Sequence, residues 1–313
     1  MLQRNNFFFL TPVLLLFLLV GVGTSAASSL PEWGGWVLKI DVIRNDGKKE
    51  LGSGVLIAPE RLLTNCHVVR NASQIRASWG KESWLATVEM GDTLRDLCLL
   101  KLPGYPGKPP PIAEPDGTQV GQNVYAVGYS DGRFAVNRGK IKGLYTCPCY
   151  DGRVIQTSAQ FNPGASGGGL FNDNGELIGI LTFKSHSGGI FHFAIPIGWM
   201  EQLSGFPETD VPVQGAFWEN PSRSSSGYFL AACDLSAKKK WRDLSRLTRE
   251  WVHEEPYNPE AWMASGRARL GLKRPREAAG DFQKALELDH THGEALLELQ
   301  QLELELNESL LGN

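Results

Sequence analysis

The sequence predicts a multidomain β + α chain: two small antiparallel β-barrels packed together, then a small all-α region. Three observations carry that reading. Short β-type runs broken by turn residues fill positions 36–197 with no amphipathic helix between them, the pattern of an antiparallel sandwich or barrel. Beyond a stretch containing several Ser and Pro, apolar residues recur at helical spacing. Finally, 313 residues, 42% of them hydrophobic, leave room for about two domains of roughly 100–200 residues with cores of their own.

The elements follow in chain order. Arg4 precedes an apolar stretch from Phe7 to about Val22, and Thr24-Ser25-Ala26-Ala27-Ser28 comes next. A short basic region, an apolar core and a small-x-small end describe a secretory signal peptide. Residues 1–27 are therefore expected to be cleaved near Ala26 or Ala27, leaving a secreted or periplasmic protein. The competing reading is an anchor, which needs about 20 apolar residues; this run is shorter and contains Pro12. No other segment is long and apolar enough to span a bilayer, so no stable membrane span is expected after signal removal.

The β region is placed at 30–203, with strands expected at 36–43, 54–57, 85–90, 97–102, 123–127, 141–145, 154–157, 177–183 and 190–195. Asn45-Asp46-Gly47, Asp116-Gly117, Ser130-Asp131-Gly132, Asp151-Gly152 and Asn172-Asp173-Asn174-Gly175 mark turns. Residues 204–224 read as a linker, poor in strand and helix formers. Helices are expected within 225–313, at 235–247, 262–272, 278–288 and 295–306.

Charge and cysteine content narrow the function. Against 34 acidic side chains there are 31 basic ones, 12 of them from Gly227 onward where 15 acidic groups lie. Neither half has the basic excess that a phosphate backbone requires, which excludes nucleic acid as the expected partner. Five cysteines is an odd number, so at least one is unpaired within the chain. Cys147-Pro148-Cys149 does not easily bridge to itself, because cysteines separated by one residue in extended chain point the same way but lie too far apart, and a metal there would need further ligands that the sequence does not offer. Cys66 and Cys98 fall in apolar runs and read as small buried core residues, so no disulfide framework is expected. No metal or cofactor is expected either.

Three segments of the β region carry chemistry: Thr64-Asn65-Cys66-His67-Val68-Val69, Arg95-Asp96-Leu97-Cys98-Leu99-Leu100-Lys101 and Asn162-Pro163-Gly164-Ala165-Ser166-Gly167-Gly168-Gly169-Leu170. A hydroxyl is a poor nucleophile at neutral pH and needs a neighbouring base that titrates near pH 7, which is histidine. The imidazole in turn needs a carboxylate to fix its tautomer and steady its cation. A tetrahedral oxyanion needs convergent backbone N–H donors, which glycines beside the serine permit. His67, Asp96 and Ser166 meet those needs together and in that order, although each segment alone would be ordinary.

These segments, with Ser53-Gly54-Val55, Ala126-Val127-Gly128, Ile155-Gln156-Thr157 and Phe193-Ala194-Ile195-Pro196, make residues 36–200 resemble chymotrypsin-like (trypsin-like) serine proteases, most closely the HtrA (Deg) type. The resemblance implies a trypsin-like double β-barrel and a serine endopeptidase acting on protein or peptide substrates. It makes Ser166 the nucleophile, His67 the general base and then acid, Asp96 the orienting carboxylate, and the N–H groups of Gly164 and Ser166 the oxyanion hole. Gln160 and Phe161, before the serine loop, and His192, where HtrA-type relatives commonly have Gly, become candidates for the substrate pocket. A pocket imidazole would offer an N–H donor to an acidic or amide side chain; the alternative is a ring packed against the barrel. Ala165 stands where trypsin-type zymogens carry an Asp, so activation by a newly cut N-terminus is not expected.

HtrA-type proteases usually continue into a PDZ domain, whereas this chain continues into helices whose residues resemble tetratricopeptide repeats. Trp262, Gly266, Leu270, Ala278, Phe282 and Ala285 match that 34-residue unit, with Tyr228, Ala232, Leu244 and Pro256 one period earlier and Leu296 and Leu299 one later. The resemblance implies a surface for a protein substrate or partner. Two functions from different classes therefore stand: an exported serine endopeptidase with recruiting helices, and a non-catalytic binding scaffold on a protease-like fold. Asn71-Ala72-Ser73 and Asn307-Glu308-Ser309 fit the glycosylation sequon, which has meaning only along a eukaryotic secretory route.

Overall fold

The computed structural model describes residues 1, 33–147, 150–185, 191–203, 219–224 and 227–311. The expected signal segment and residues 204–218 of the expected linker lie outside them, as do Pro148 and Cys149. All strands and helices belong to one unit, Pro31–Asn313.

Two six-stranded closed barrels are followed by a helical region. The first barrel holds β1 (Val37–Arg44), β2 (Lys49–Ala58), β3 (Arg61–Thr64), β4 (Ala72–Trp79), β5 (Glu82–Asp92) and β6 (Leu97–Lys101), closed in the order β1-β2-β3-β6-β5-β4. A single turn of helix, α1 (Cys66–Val69), joins β3 to β4. The second barrel holds β7 (Asn123–Ser130), β8 (Arg133–Cys147), β9 (Tyr150–Thr157), β10 (Gly169–Asn172), β11 (Leu177–Ser185) and β12 (Phe191–Pro196), in the order β10-β11-β12-β9-β8-β7.

Alternation along the strands fills each barrel. In β1, Leu38, Ile40 and Val42 point inward to meet Leu56, Leu62 and Leu100. Val124, Ala126, Ile141, Ile155 and Leu181 do the same in the second barrel. Residues with the opposite orientation build the seam: Val37, Val55 and Leu63 of one barrel share a cluster with Val127, Phe171 and Phe193 of the other. Trp33 seals that seam, its ring 4.8 Å from Phe171 and 5.5 Å from Tyr125. Each large apolar side chain fully buried here contributes about 1.5–3 kcal/mol.

The sequence pattern missed β3, β4 and β10. β3 and β10 have four residues each, and β10 begins on the last of three glycines that read as loop. In β4 only Ile75 and Ala77 turn inward, so its pattern is mostly polar. A second correction concerns the cysteines. Cys66 and Cys98 are buried as expected, but they form a disulfide with their Cα atoms 4.9 Å apart. The ladder explains it: Thr64 pairs with Cys98 across β3 and β6, which brings Cys66, two residues on, over the same strand. Sequence spacing does not display that pairing.

The helical region contains a short turn, α2 (Pro221–Ser224), then α3 (Tyr228–Ala237), α4 (Trp241–Glu254), α5 (Pro259–Gly271), α6 (Pro275–Leu288) and α7 (Gly293–Leu311). The helix expected over 235–247 is two helices. The chain reverses at Lys238-Lys239-Lys240, with Lys239 at φ 53°, and the apolar residues on either side merge into one apparent period. α3 packs on β8, where Asp234 accepts a hydrogen bond from the Thr146 N–H at 3.1 Å. Phe229, Leu230, Leu244 and Trp251 extend the barrel seam into the helices. Among the described residues no helix is long and apolar enough to cross a membrane.

Candidate active site

His67, Asp96 and Ser166 each sit at or beside the end of a barrel strand. His67 lies on α1, just after β3. Asp96 precedes β6 in the left-handed region (φ 56°), a conformation that Asp tolerates better than most residues. Its carboxylate is fully buried and fully used. Oδ1 accepts the His67 backbone N–H at 2.8 Å, and Oδ2 lies 2.6 Å from His67 Nδ1. The Thr182 hydroxyl donates to the same Oδ2 at 3.1 Å. A carboxylate beside Nδ1 makes Nδ1 the protonated nitrogen and leaves Nε2 as the acceptor. Burial pushes the imidazole pKa down, but the charge of Asp96 and its hydrogen bond, with help from Glu219, outweigh that and hold it above the ordinary 6.5.

Ser166 precedes β10. Its hydroxyl donates to the Thr182 carbonyl at 3.0 Å, and among the described residues no hydrogen bond joins it to His67.

The loop before Ser166 is set for an anion. The Pro163 carbonyl accepts from the Asp131 N–H at 2.8 Å, and in a trans peptide the following N–H, that of Gly164, must point the opposite way. Gly164 has φ 94°, and a Cβ there would lie 2.5 Å from the Tyr129 carbonyl, so no other residue fits. Within 162–168, the N–H groups of 162, 165, 167 and 168 are bonded inside the protein, whereas those of Gly164 and Ser166 have no protein acceptor among the described residues. One of these two free donors is the serine's own, and the other lies two residues before it.

Three residues that the motifs did not assign hold this geometry. Thr182 on β11 serves both Asp96 and Ser166. Ser53 on β2 is fully buried; its hydroxyl donates to the Gly164 carbonyl at 2.8 Å and accepts the Tyr129 N–H at 2.9 Å, while its N–H donates to the Ser166 carbonyl at 2.8 Å. Asp131, in the β7–β8 turn, also accepts from the Asn162 side chain at 2.8 Å. Ser53 and Asp131 stand inside sequence motifs, but as strand and turn markers. Nothing in the sequence sets Thr182 apart from a core strand residue.

The candidate pocket residues divide. Phe161 and His192 meet edge to face with ring centroids 4.8 Å apart, both buried, and Phe161 packs into the second barrel's core. His192 Nε2 lies 3.1 Å from the Phe161 carbonyl, so Nε2 carries the proton and spends it there. Gln160 is exposed, and its carbonyl accepts from the Asn137 side chain at 2.8 Å.

Residues 52–180 match the family described as a trypsin-like peptidase domain. Among curated proteins, the chain is 36% identical over 165 residues to a probable periplasmic serine endoprotease DegP-like of Pseudomonas putida, covering 49% of this chain and 34% of that protein. It is 33% identical over 172 residues to the chloroplastic Protease Do-like 1 of Arabidopsis thaliana, covering 49% and 39%. The match thus spans between a third and two fifths of those relatives' length. Among solved structures, the HtrA-type protease AlgW with a tripeptide has a TM-score of 0.50 at 29% identity, covering 54% of this chain and 58% of that one. The active form of the Rv3671c protease from M. tuberculosis has a TM-score of 0.51 at 27% identity, covering 58% and 85%.

Proposed function

We propose that the chain is an exported serine endopeptidase in which Ser166, His67 and Asp96 form the catalytic triad. The observation that carries this reading is the convergence at one junction of a hydrogen-bonded Asp96–His67 pair with two N–H donors, those of Gly164 and of Ser166 itself, that have no protein acceptor among the described residues. In the reaction Ser166 turns from the Thr182 carbonyl to His67 Nε2, loses its proton to it and attacks the peptide carbonyl. Asp96 steadies the imidazolium, and the N–H groups of Gly164 and Ser166 hold the oxyanion. His67 then returns the proton to the leaving amine, and a water activated in the same way releases the acyl group. One well-placed oxyanion donor is worth about 10²–10³ in rate.

Phe161 and His192 form the floor of the pocket for the residue before the scissile bond. Because the His192 Nε2 proton is directed at Phe161, the ring offers that pocket its bulk, which favours small aliphatic side chains over acidic ones. The helices are tetratricopeptide-like, and their surface receives a protein substrate or partner. Their spacing supports this: α4 and α6 begin at Trp241 and Pro275, 34 residues apart, and α5 and α7 begin at Pro259 and Gly293, again 34 apart. At Gly266 a Cβ would come within 2.3 Å of the Phe282 ring, the close approach that the repeat's small position provides.

One observation favours the scaffold reading instead: the Ser166 hydroxyl rests on Thr182 rather than on His67. Labelling by a fluorophosphonate decides between them. The protease reading expects Ser166 to be labelled and casein to be cleaved, with both lost in Ser166→Ala; an unlabelled, inactive wild-type chain establishes the scaffold.

A further inference from the structure

The helical region holds a site for an arginine, and the chain fills it with its own. Arg223, on the turn α2, donates from Nε to Glu260 Oε1, and its Nη2 lies 3.8 Å from Glu294 Oε1. The guanidinium carbon lies over the Phe229 ring, 5.2 Å from its centre. One residue earlier, the Ser222 carbonyl accepts from the Asn258 side chain at 2.8 Å. These contacts read two things at once: an arginine side chain, and the main-chain carbonyl that precedes it.

The chemistry is selective. Glu260 is only 4% exposed, and a carboxylate so placed is costly unless charged partners surround it. His292 lies on its other side, with Nε2 3.5 Å from the same Oε1. The remaining partner comes from outside helices α3–α7, on a segment just before them. A guanidinium can address carboxylates along its edge while its face lies on an aromatic ring, and an ammonium cannot do both. Glu260 and Phe229, which Arg223 contacts, also line a small cavity with Cys233, Met263 and Arg267. At the other end of the same segment, Glu219 pairs with Arg70 at 2.7 Å, and Arg70 directly follows α1 with its His67. Six residues thus connect the helical site to the active-site helix.

We propose that this is a peptide-recognition site for arginine, filled in the resting chain by Arg223, and that a partner protein presenting an arginine in a short segment displaces residues 219–224. Displacement would also free Arg70 from Glu219. The binding step is independent of any proteolytic activity. A short tether holds its ligand at an effective concentration on the order of millimolar, so a competing peptide with an intrinsic Kd near ~100 µM meets a site about tenfold weaker than the empty one.

The test uses the full chain carrying Ser166→Ala and a fluorescein-labelled peptide Glu-Asn-Pro-Ser-Arg-Ser, the sequence of residues 219–224. Addition of Arg223→Ala is expected to tighten binding of that peptide about tenfold. The same peptide with Ala in place of Arg binds neither chain. Glu294→Gln in the Arg223→Ala background weakens binding several-fold. Arg223→Lys keeps a charge beside Glu260 and serves if the alanine variant melts early; its affinity for the peptide should fall between the other two. Equal affinity with and without Arg223, indifference to the peptide's arginine or to Glu294, or no binding to either variant at millimolar peptide would each overturn the proposal and make Arg223 a fixed brace.

Discussion

Removing the Cys66–Cys98 bridge by a double change to alanine probes the joint that holds the proposed base and carboxylate together. The two cysteines are 32 residues apart, and closing a loop of that size removes enough unfolded-chain entropy to stabilise the protein by about 4 kcal/mol. Both are fully buried, but the change to alanine takes away only one sulfur at each site, so the loop term dominates. For a protein of this size, about 2–4 °C of Tm accompanies each kcal/mol, and the double variant is expected to melt about 8–16 °C lower. The measurement is calorimetry in the Ser166→Ala background, which removes self-cleavage from the comparison. Alkylation with mass spectrometry, before and after reduction, reports whether the bridge is present. Cys66 directly precedes His67, and Cys98 follows Asp96 by two residues, so in the catalytically intact chain the same change should lower kcat more than it raises KM. A melting difference under about 2 °C with the bridge shown to be intact in the parent would refute the loop argument. Free alkylation of both cysteines without reductant would refute the pairing itself.

The remaining expectations concern the site. Ser166→Ala should abolish peptide cleavage without altering the fold, and His67→Ala should cost nearly as much alone as in combination with it, because the groups act as one unit; additive losses would break that unit apart. The general base must be neutral, so kcat/KM should rise with pH through a midpoint above 6.5, given that Asp96 holds the His67 pKa up. The protonated pair's contribution to stability runs the other way, complete below the unfolded value of about 6.5 and lost as pH rises through the higher folded one. Glu219→Gln removes a negative charge that raises the His67 pKa and should move the acid limb to lower pH; an upward shift would contradict the placement of that charge. Ser53→Ala leaves the Gly164 carbonyl and the Tyr129 N–H buried without a partner, and should cost about 1–3 kcal/mol of stability and lower kcat at nearly constant KM. His192→Gly should enlarge the pocket, so a peptide library should show preference moving toward larger aliphatic side chains; lost preference for acidic residues would instead restore a donor role for the imidazole.

Much of this architecture is readable because it rests on local pattern. Inward-facing Leu38, Ile40 and Val42 announce β1 by alternation alone, and turn residues such as Asn45-Asp46-Gly47 fix where it reverses. Local pattern fails where an element is short or its burial comes from elsewhere. β10 has only four residues, all buried, but it begins within a glycine run that reads as loop, so its strand character is visible only in its ladders with β7 and β11. At Lys239 the left-handed turn has no glycine to signal it, and two helices read as one.

The site divides along the same line, and the division has a physical basis. His67, Asp96 and Ser166 are visible because the chemistry demands particular side chains next to strand ends, and residue type survives in a sequence. Ser53, Thr182 and Asp131 act by position. Ser53 reaches Gly164 across 111 residues, and Thr182 reaches Asp96 across 86, contacts that exist only once the two barrels have closed against each other. Those contacts also separate what is fixed at rest from what must move. The proposed oxyanion loop is pinned at three points, by Asp131 on the Pro163 carbonyl and by Ser53 on the Gly164 and Ser166 carbonyls, which leaves the Gly164 and Ser166 donors without a protein acceptor among the described residues. The Ser166 hydroxyl is held by a single neutral hydrogen bond to Thr182, worth about 0.5–1.5 kcal/mol. A free-energy difference of that size costs about tenfold in the population of the reactive rotamer at its upper end. Readiness for the proposed chemistry therefore resides in the barrel junction, and the Ser166 hydroxyl has only that one hydrogen bond to give up.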